Sequence, residues 1–189
     1  MSASRFAVAF AVLTLASAAA ARDVGGVDMP EQVGAAAGAE VLRLNGAGVR
    51  RKLLFPVYAI GLYLPAPQGD AARVLATDGP WRILMRILHK EIPREQLVAA
   101  WNEGFAANQS AAELAPLQAR IDRFGGAFDT LRAGDTVRID YAPGRGTRVE
   151  INGRPREDIA GADFAAAVLR IWLGPAPVSG PLKDELLGR

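Results

Sequence analysis

The chain has 189 residues, 50% of them hydrophobic, and 22 Lys+Arg against 20 Asp+Glu leave a net charge of only +2. So small an excess gives no basis for nucleic-acid binding. The absence of cysteine and the single histidine, His89, exclude thiolate metal sites, cysteine nucleophiles and two-histidine zinc motifs; no loop has calcium-type carboxylate spacing, so neither metal nor cofactor is expected.

The first residues read as an export signal. MSASR is a short positive start, Phe6 to Leu15 an apolar run, and Ala18 to Ala21 offers small-residue cleavage sites. An apolar core of about ten residues is half what a bilayer span needs, so cleavage near Ala21 is expected and a permanent anchor is not. The division is residues 1–21 as signal and 22–189 as one domain, exported to a periplasm or secreted.

Arg22 to Gly38, rich in Gly and Ala, reads as a loop or short edge strand. Glu40 to Leu44 reads as a strand, Asn45-Gly46-Ala47-Gly48 as a turn, and Val49 to Phe55 and Val57 to Leu64 as strands broken at Pro56, where an edge or a bulge is expected. Asp70 is an N-cap candidate for a helix over Ala71 to Ala76. Trp81 to His89 alternates as a strand: Trp81, Ile83, Met85, Ile87 and His89 share one face, and Arg82, Leu84, Arg86 and Leu88 share the other.

Pro93 to about Asn108 has helical spacing at Leu97, Ala100, Trp101 and Phe105, and a second helix follows through Leu114, Leu117, Ile121 and Phe124 to Gly125-Gly126. Asp135 to Tyr141 and Thr147 to Ile151 form a hairpin around Pro143 to Gly146, and Asn152-Gly153 marks a further turn near a short extended element at Ile159. Phe164 to Leu173 reads as a buried helix and Leu182 to Leu187 as a last helical turn or two. This order, without βα alternation or repeats, predicts an α+β fold: an antiparallel sheet with helices packed on one face and a crevice between the layers.

Gly46-Ala47-Gly48 lacks the third glycine and the following helix of a dinucleotide fingerprint. After the signal the serines are Ser110 and Ser179, neither in a nucleophile elbow, and His89 reads as a partly buried strand-end residue. Trp101 and Trp172 read as core, with a ligand-lining contribution open to Trp101. Arg50 and Arg51 point to opposite faces of a strand, so only one of them meets the helices; Arg51, Lys52 and Tyr63 are assigned to surface or opposite-face positions. Tyr58, Ile60, Leu62 and Leu64 share an apolar face, where a phenol needs a partner. Two readings stay open on the residues alone: Arg50 paired with a glutamate and Tyr58 with backbone, or both aimed at an anionic ligand.

GAGVRRK followed by VYAIGLYL resembles the G-A-G-x-R and G-I-G-V-Y-L segments of the chalcone isomerase family. WRILMRILHK, the AAWNEGF helix, the DTVRIDYAPGRGTRVEINGRP hairpin, DFAAAVLRIWLG and LKDELLG are similar to its bacterial exported, chalcone isomerase-like branch. The resemblance implies an open-faced β-sandwich-like sheet with helices over one face and a ligand cleft between them. It puts the family arginine on Arg50 and the position before the G-I-G-V-Y-L run on Tyr58, as in fatty-acid-binding relatives. It aligns a helix asparagine with Asn102 and, loosely, a strand lysine with Lys90. The plant enzyme's tyrosine near the start of the long helix has no counterpart among Arg94, Glu95 and Gln96, which counts against isomerase activity.

The expectation is therefore an exported, noncatalytic, monomeric protein. It holds a small apolar anion such as a fatty acid on Arg50, Tyr58 and Asn102, with no catalytic residue assigned, no nucleic-acid partner and no stable membrane insertion. The alternatives are an intramolecular lyase of chalcone isomerase type, and a scaffold or interaction protein with a collapsed cleft.

Overall fold

A computed structural model describes residues 20–34 and 41–189; nearly all of the expected export signal, and Glu40 of the first expected core strand, lie outside them. The described residues begin with β1 (Ala21–Asp23), β2 (Asp28–Pro30) and β3 (Gln32–Gly34), then run through two long strands, β4 (Val41–Lys52) and β5 (Phe55–Leu64). Asp70, whose carboxylate accepts from Ala72 N at 2.8 Å and Arg73 N at 3.4 Å, caps α1 (Ala71–Ala76) as its sequence predicts. Next come β6 (Trp81–Ile87), β7 (Glu91–Ile92) and α2 (Arg94–Asn108). The second expected helix is divided by Pro116 into α3 (Ala111–Leu114), a 3₁₀ turn (Ala115–Leu117) and α4 (Gln118–Gly126). β8 (Leu131–Arg132), β9 (Thr136–Ala142), β10 (Gly146–Ile151), β11 (Arg154–Ile159), α5 (Ala162–Leu173) and α6 (Gly180–Leu186) complete the order.

Seven strands form one antiparallel sheet in the order β11-β10-β9-β6-β5-β4-β3, while β1-β2 and β7-β8 are separate two-stranded ribbons. Consecutive strands are mostly neighbours, as short hairpin connections require. On one face Ile60, Leu62, Ile83, Met85, Val137 and Val149 meet α2, α4 and α5 in the main core. The aromatic centre of that core packs Trp101 edge-on or tilted against Phe124, Phe128 and Trp172 at centroid distances of 5.5–5.8 Å. On the other face Met29, Leu42, Leu44, Ala59 and Tyr63 form a second, smaller cluster.

The main departure from the sequence reading is β4. Asn45-Gly46-Ala47-Gly48 does not turn; the strand runs unbroken from Val41 to Lys52, and the chain reverses at Leu53-Leu54. The glycines answer to a neighbour. A Cβ on Gly46 would fall 2.6 Å from the Leu186 carbonyl oxygen and closer still to that of Glu185, so only a bare backbone lets α6 lie against the strand. Asn45 fastens the same contact, with its amide donating to Leu186 O at 2.8 Å and to Gln68 O at 3.1 Å.

Two smaller expectations are also corrected. β11 is a full strand paired along β10, where the sequence signalled only an extended stretch at Ile159. His89 lies exposed beyond the end of β6, not partly buried within it.

Candidate functional site

A bulge between Leu44 and Gly46 sets the site. An extra residue in a strand exchanges the two faces beyond it: Leu42 and Leu44 belong to the smaller cluster, whereas Gly46 and Gly48 meet α6 and Arg50 and Lys52 meet the space beneath α2. Across the hairpin Arg50 stands directly opposite Tyr58, and Tyr58 opposite Ile87, so the three form one row over β4, β5 and β6. A second register shift lies between Arg50 and Arg51, opposite Pro56, where proline removes a ladder hydrogen bond.

Above this row lies a cavity of about 420 Å³, inside the range of about 300–1,000 Å³ usual for small-molecule sites. Met85, Ile87, Leu97, Trp101, Leu131 and Ile171 give it apolar walls; Arg50, Lys52, Tyr58, Gln96 and Glu103 are its polar and charged members. Its rim includes Ala176 to Val178, in the loop after α5. Asn108 holds that loop to α2 by donating to Ala176 O at 2.9 Å and accepting from Ala176 N at 3.0 Å.

The polar groups carry unused bonding capacity. Arg50 donates to the neighbouring Arg51 carbonyl, and no carboxylate among the described residues lies within ion-pair distance of it. The expected alternative of an Arg50–Glu pair is therefore not what forms. Tyr58 Oη accepts from Trp172 Nε1 at 3.2 Å. Because an indole N–H can only donate, the phenol keeps its own proton, for which the described residues supply no acceptor. Burial pushes the Tyr58 hydroxyl above its ordinary range, against smaller opposing effects of the Trp172 hydrogen bond and the Arg50 charge, so it is a neutral donor at ordinary pH. Trp101 lines the same cavity, but its Nε1 is fully buried and has no hydrogen-bond partner among the described residues. A cation and a free O–H donor thus belong to one largely apolar cavity, the composition suited to an oxyanion carrying an apolar tail.

Of the residues singled out from sequence, Arg50 and Tyr58 come together and Trp101 joins them. Asn102 does not: it is exposed on α2 and outside the lining. The cavity-facing stripe is Leu97, Ala100, Trp101, Gly104 and Ala107, and helical geometry turns position 102 well away from it. Lys52, assigned from sequence to the surface or the opposite face, is exposed but lines the cavity, and its two-residue spacing from Arg50 already placed both on one face. Tyr63 occupies the opposite face as predicted. Among the described residues no group of three or more His, Cys, Asp or Glu side chains could hold a metal.

An antiparallel sheet roofed by helices, with an open, donor-lined apolar cavity between the layers, defines an α+β cleft protein. Residues 21–188 match the family described as chalcone isomerase-like, and the chain belongs to that family. The crystal structure of a fatty-acid binding protein from Arabidopsis thaliana is similar in fold, with a TM-score of 0.63 at 17% identity, covering 86% of this chain and 92% of that one. No curated protein matches the chain in sequence.

Proposed function

We propose that this chain is an exported, noncatalytic binding protein whose cavity holds a fatty acid or a similar apolar carboxylate. Arg50 and Tyr58 receive the head, and the apolar walls, Trp101 among them, enclose the tail. The observation that carries this reading is the pairing of an arginine without a carboxylate partner and a neutral phenol with an unassigned proton, side by side in an apolar cavity of about 420 Å³. The fatty-acid binding neighbour of the same fold supports the same ligand class. Export rests on the first 21 residues and their signal-like pattern.

Each methylene taken from water contributes about 0.8 kcal/mol, so the tail supplies most of the affinity. The charge-assisted bonds to Arg50 select a carboxylate over an alcohol or ester. An open cavity also argues against the collapsed-cleft alternative. The test is native mass spectrometry of the protein recovered from its own compartment, compared with Arg50→Ala. A co-purifying fatty acid in the wild type that is lost from the variant is expected. Equal lipid in both would remove Arg50 from the site, and cyclisation of a chalcone by wild type but not by Arg50→Ala would replace binding with catalysis.

A further inference from the structure

The β4–β5 hairpin does something the cavity does not require. Its tip exposes Leu53 by 88%, Leu54 by 87% and Phe55 by 66%, three consecutive apolar side chains at the end of a two-residue turn. An isolated exposed apolar side chain is ordinary; three in a row at a prong are not. Leu53 moreover takes a positive φ of 56°, in a hairpin turn where glycine or asparagine sits without steric cost. Strain of this kind points to a use for the side chain itself.

Cations surround the base of the prong. Arg51 and Lys52 precede it, both exposed and without a carboxylate partner among the described residues. Val57 O accepts from Leu88 N at 3.0 Å and His89 N at 3.1 Å, which brings exposed Lys90, also unpaired, to this end of the sheet. Of the neighbouring carboxylates, Glu91 is paired with Arg132 at 3.0 Å and Glu103 lines the cavity.

We propose that this hairpin docks the protein on an anionic phospholipid bilayer, with Leu53, Leu54 and Phe55 entering the acyl boundary and Arg51, Lys52 and Lys90 meeting the headgroups. Three residues on a turn offer far less area than the roughly 800 Å² per partner of a stable protein interface. An acyl layer accepts a prong without a complementary surface, and a cationic collar adds attraction to anionic lipid. Arg50, Lys52 and Val57 belong both to this hairpin and to the cavity lining, so docking would set the cavity beside the bilayer. That use rests on the proposed function; docking itself does not.

The test is co-sedimentation of the purified protein, with no fatty acid added, with vesicles of phosphatidylcholine containing about 30% phosphatidylglycerol. Wild type is expected to sediment with them and to release at high salt. Leu53→Gly and Leu54→Ser should each weaken partitioning about tenfold, and Arg51→Gln and Lys90→Gln about fivefold each. Leu53→Gly relaxes the turn, so an unlowered urea midpoint keeps its lost binding from being ascribed to misfolding. Wild type left in the supernatant, a Leu53→Gly/Leu54→Ser protein that sediments like wild type, or a tip-dependent dimer in sedimentation equilibrium would overturn docking. A lipid-free cavity in native mass spectrometry would overturn the ligand assignment alone.

Discussion

Tyr63 and Tyr58 lie on the same strand with opposite fates. Tyr63 is fully buried in the smaller cluster and its hydroxyl has no hydrogen-bond partner among the described residues. Removing a buried, unsatisfied hydroxyl recovers its desolvation cost, so Tyr63→Phe is expected to stabilise the fold by about 1 kcal/mol in urea unfolding. A loss of stability would mean that the hydroxyl has a partner. Strand parity made this division of the tyrosines legible, and the family resemblance marked Arg50 and Tyr58, which stand opposite each other on β4 and β5. Trp172 as the partner of Tyr58 was not legible, because that bond joins positions far apart in the chain and depends on how α5 seats on β5. Asn102 is the opposite case: the apolar periodicity of α2 at Leu97, Trp101 and Phe105 already turns position 102 to the exposed face, whatever a motif alignment implies.

At the scale of elements the informative failure is the Asn45–Gly48 segment. Glycine in a strand pattern has two physical causes, a turn or a close approach by another element, and the local sequence does not separate them. The second is at work here, through α6, which lies more than a hundred residues further along the chain. The bulge at Leu44–Gly46 then turns Arg50 toward α2, so the seating of α6 and the site depend on the same short segment. Gly46→Ala must push the Glu185 and Leu186 backbone away and is expected to cost about 3 kcal/mol. Gly48→Ala should cost less, since its closest clash is with the movable Glu185 carboxylate. Urea midpoints that rank the two variants the other way would count against α6 packing as the reason for these glycines.

For the molecule as a whole, all three tyrosines are held against ionisation. Burial raises Tyr63 to about 12, with Arg82 opposing it. Burial raises Tyr141 to about 12, reinforced by its hydrogen bond to Asp78 at 2.5 Å. Tyr58 is raised by burial as well. In the unfolded chain these phenols ionise near pH 10, so between about pH 10 and 12 the folded state binds more protons than the unfolded one, and stability must fall as pH rises through that window. Below about pH 10 all three are protonated in both states and contribute no pH dependence. The slope is at most about 1.4 kcal/mol per pH unit for each tyrosine that stays protonated only when folded. Tyrosinate absorbance at 295 nm should therefore stay flat through pH 10 while far-ultraviolet circular dichroism remains native, then rise together with the loss of that signal. The double variant Tyr63→Phe/Tyr141→Phe should flatten the alkaline fall in urea midpoint. A tyrosinate midpoint near pH 10 in protein that is still folded would show that the two faces of the sheet admit water where the packing excludes it.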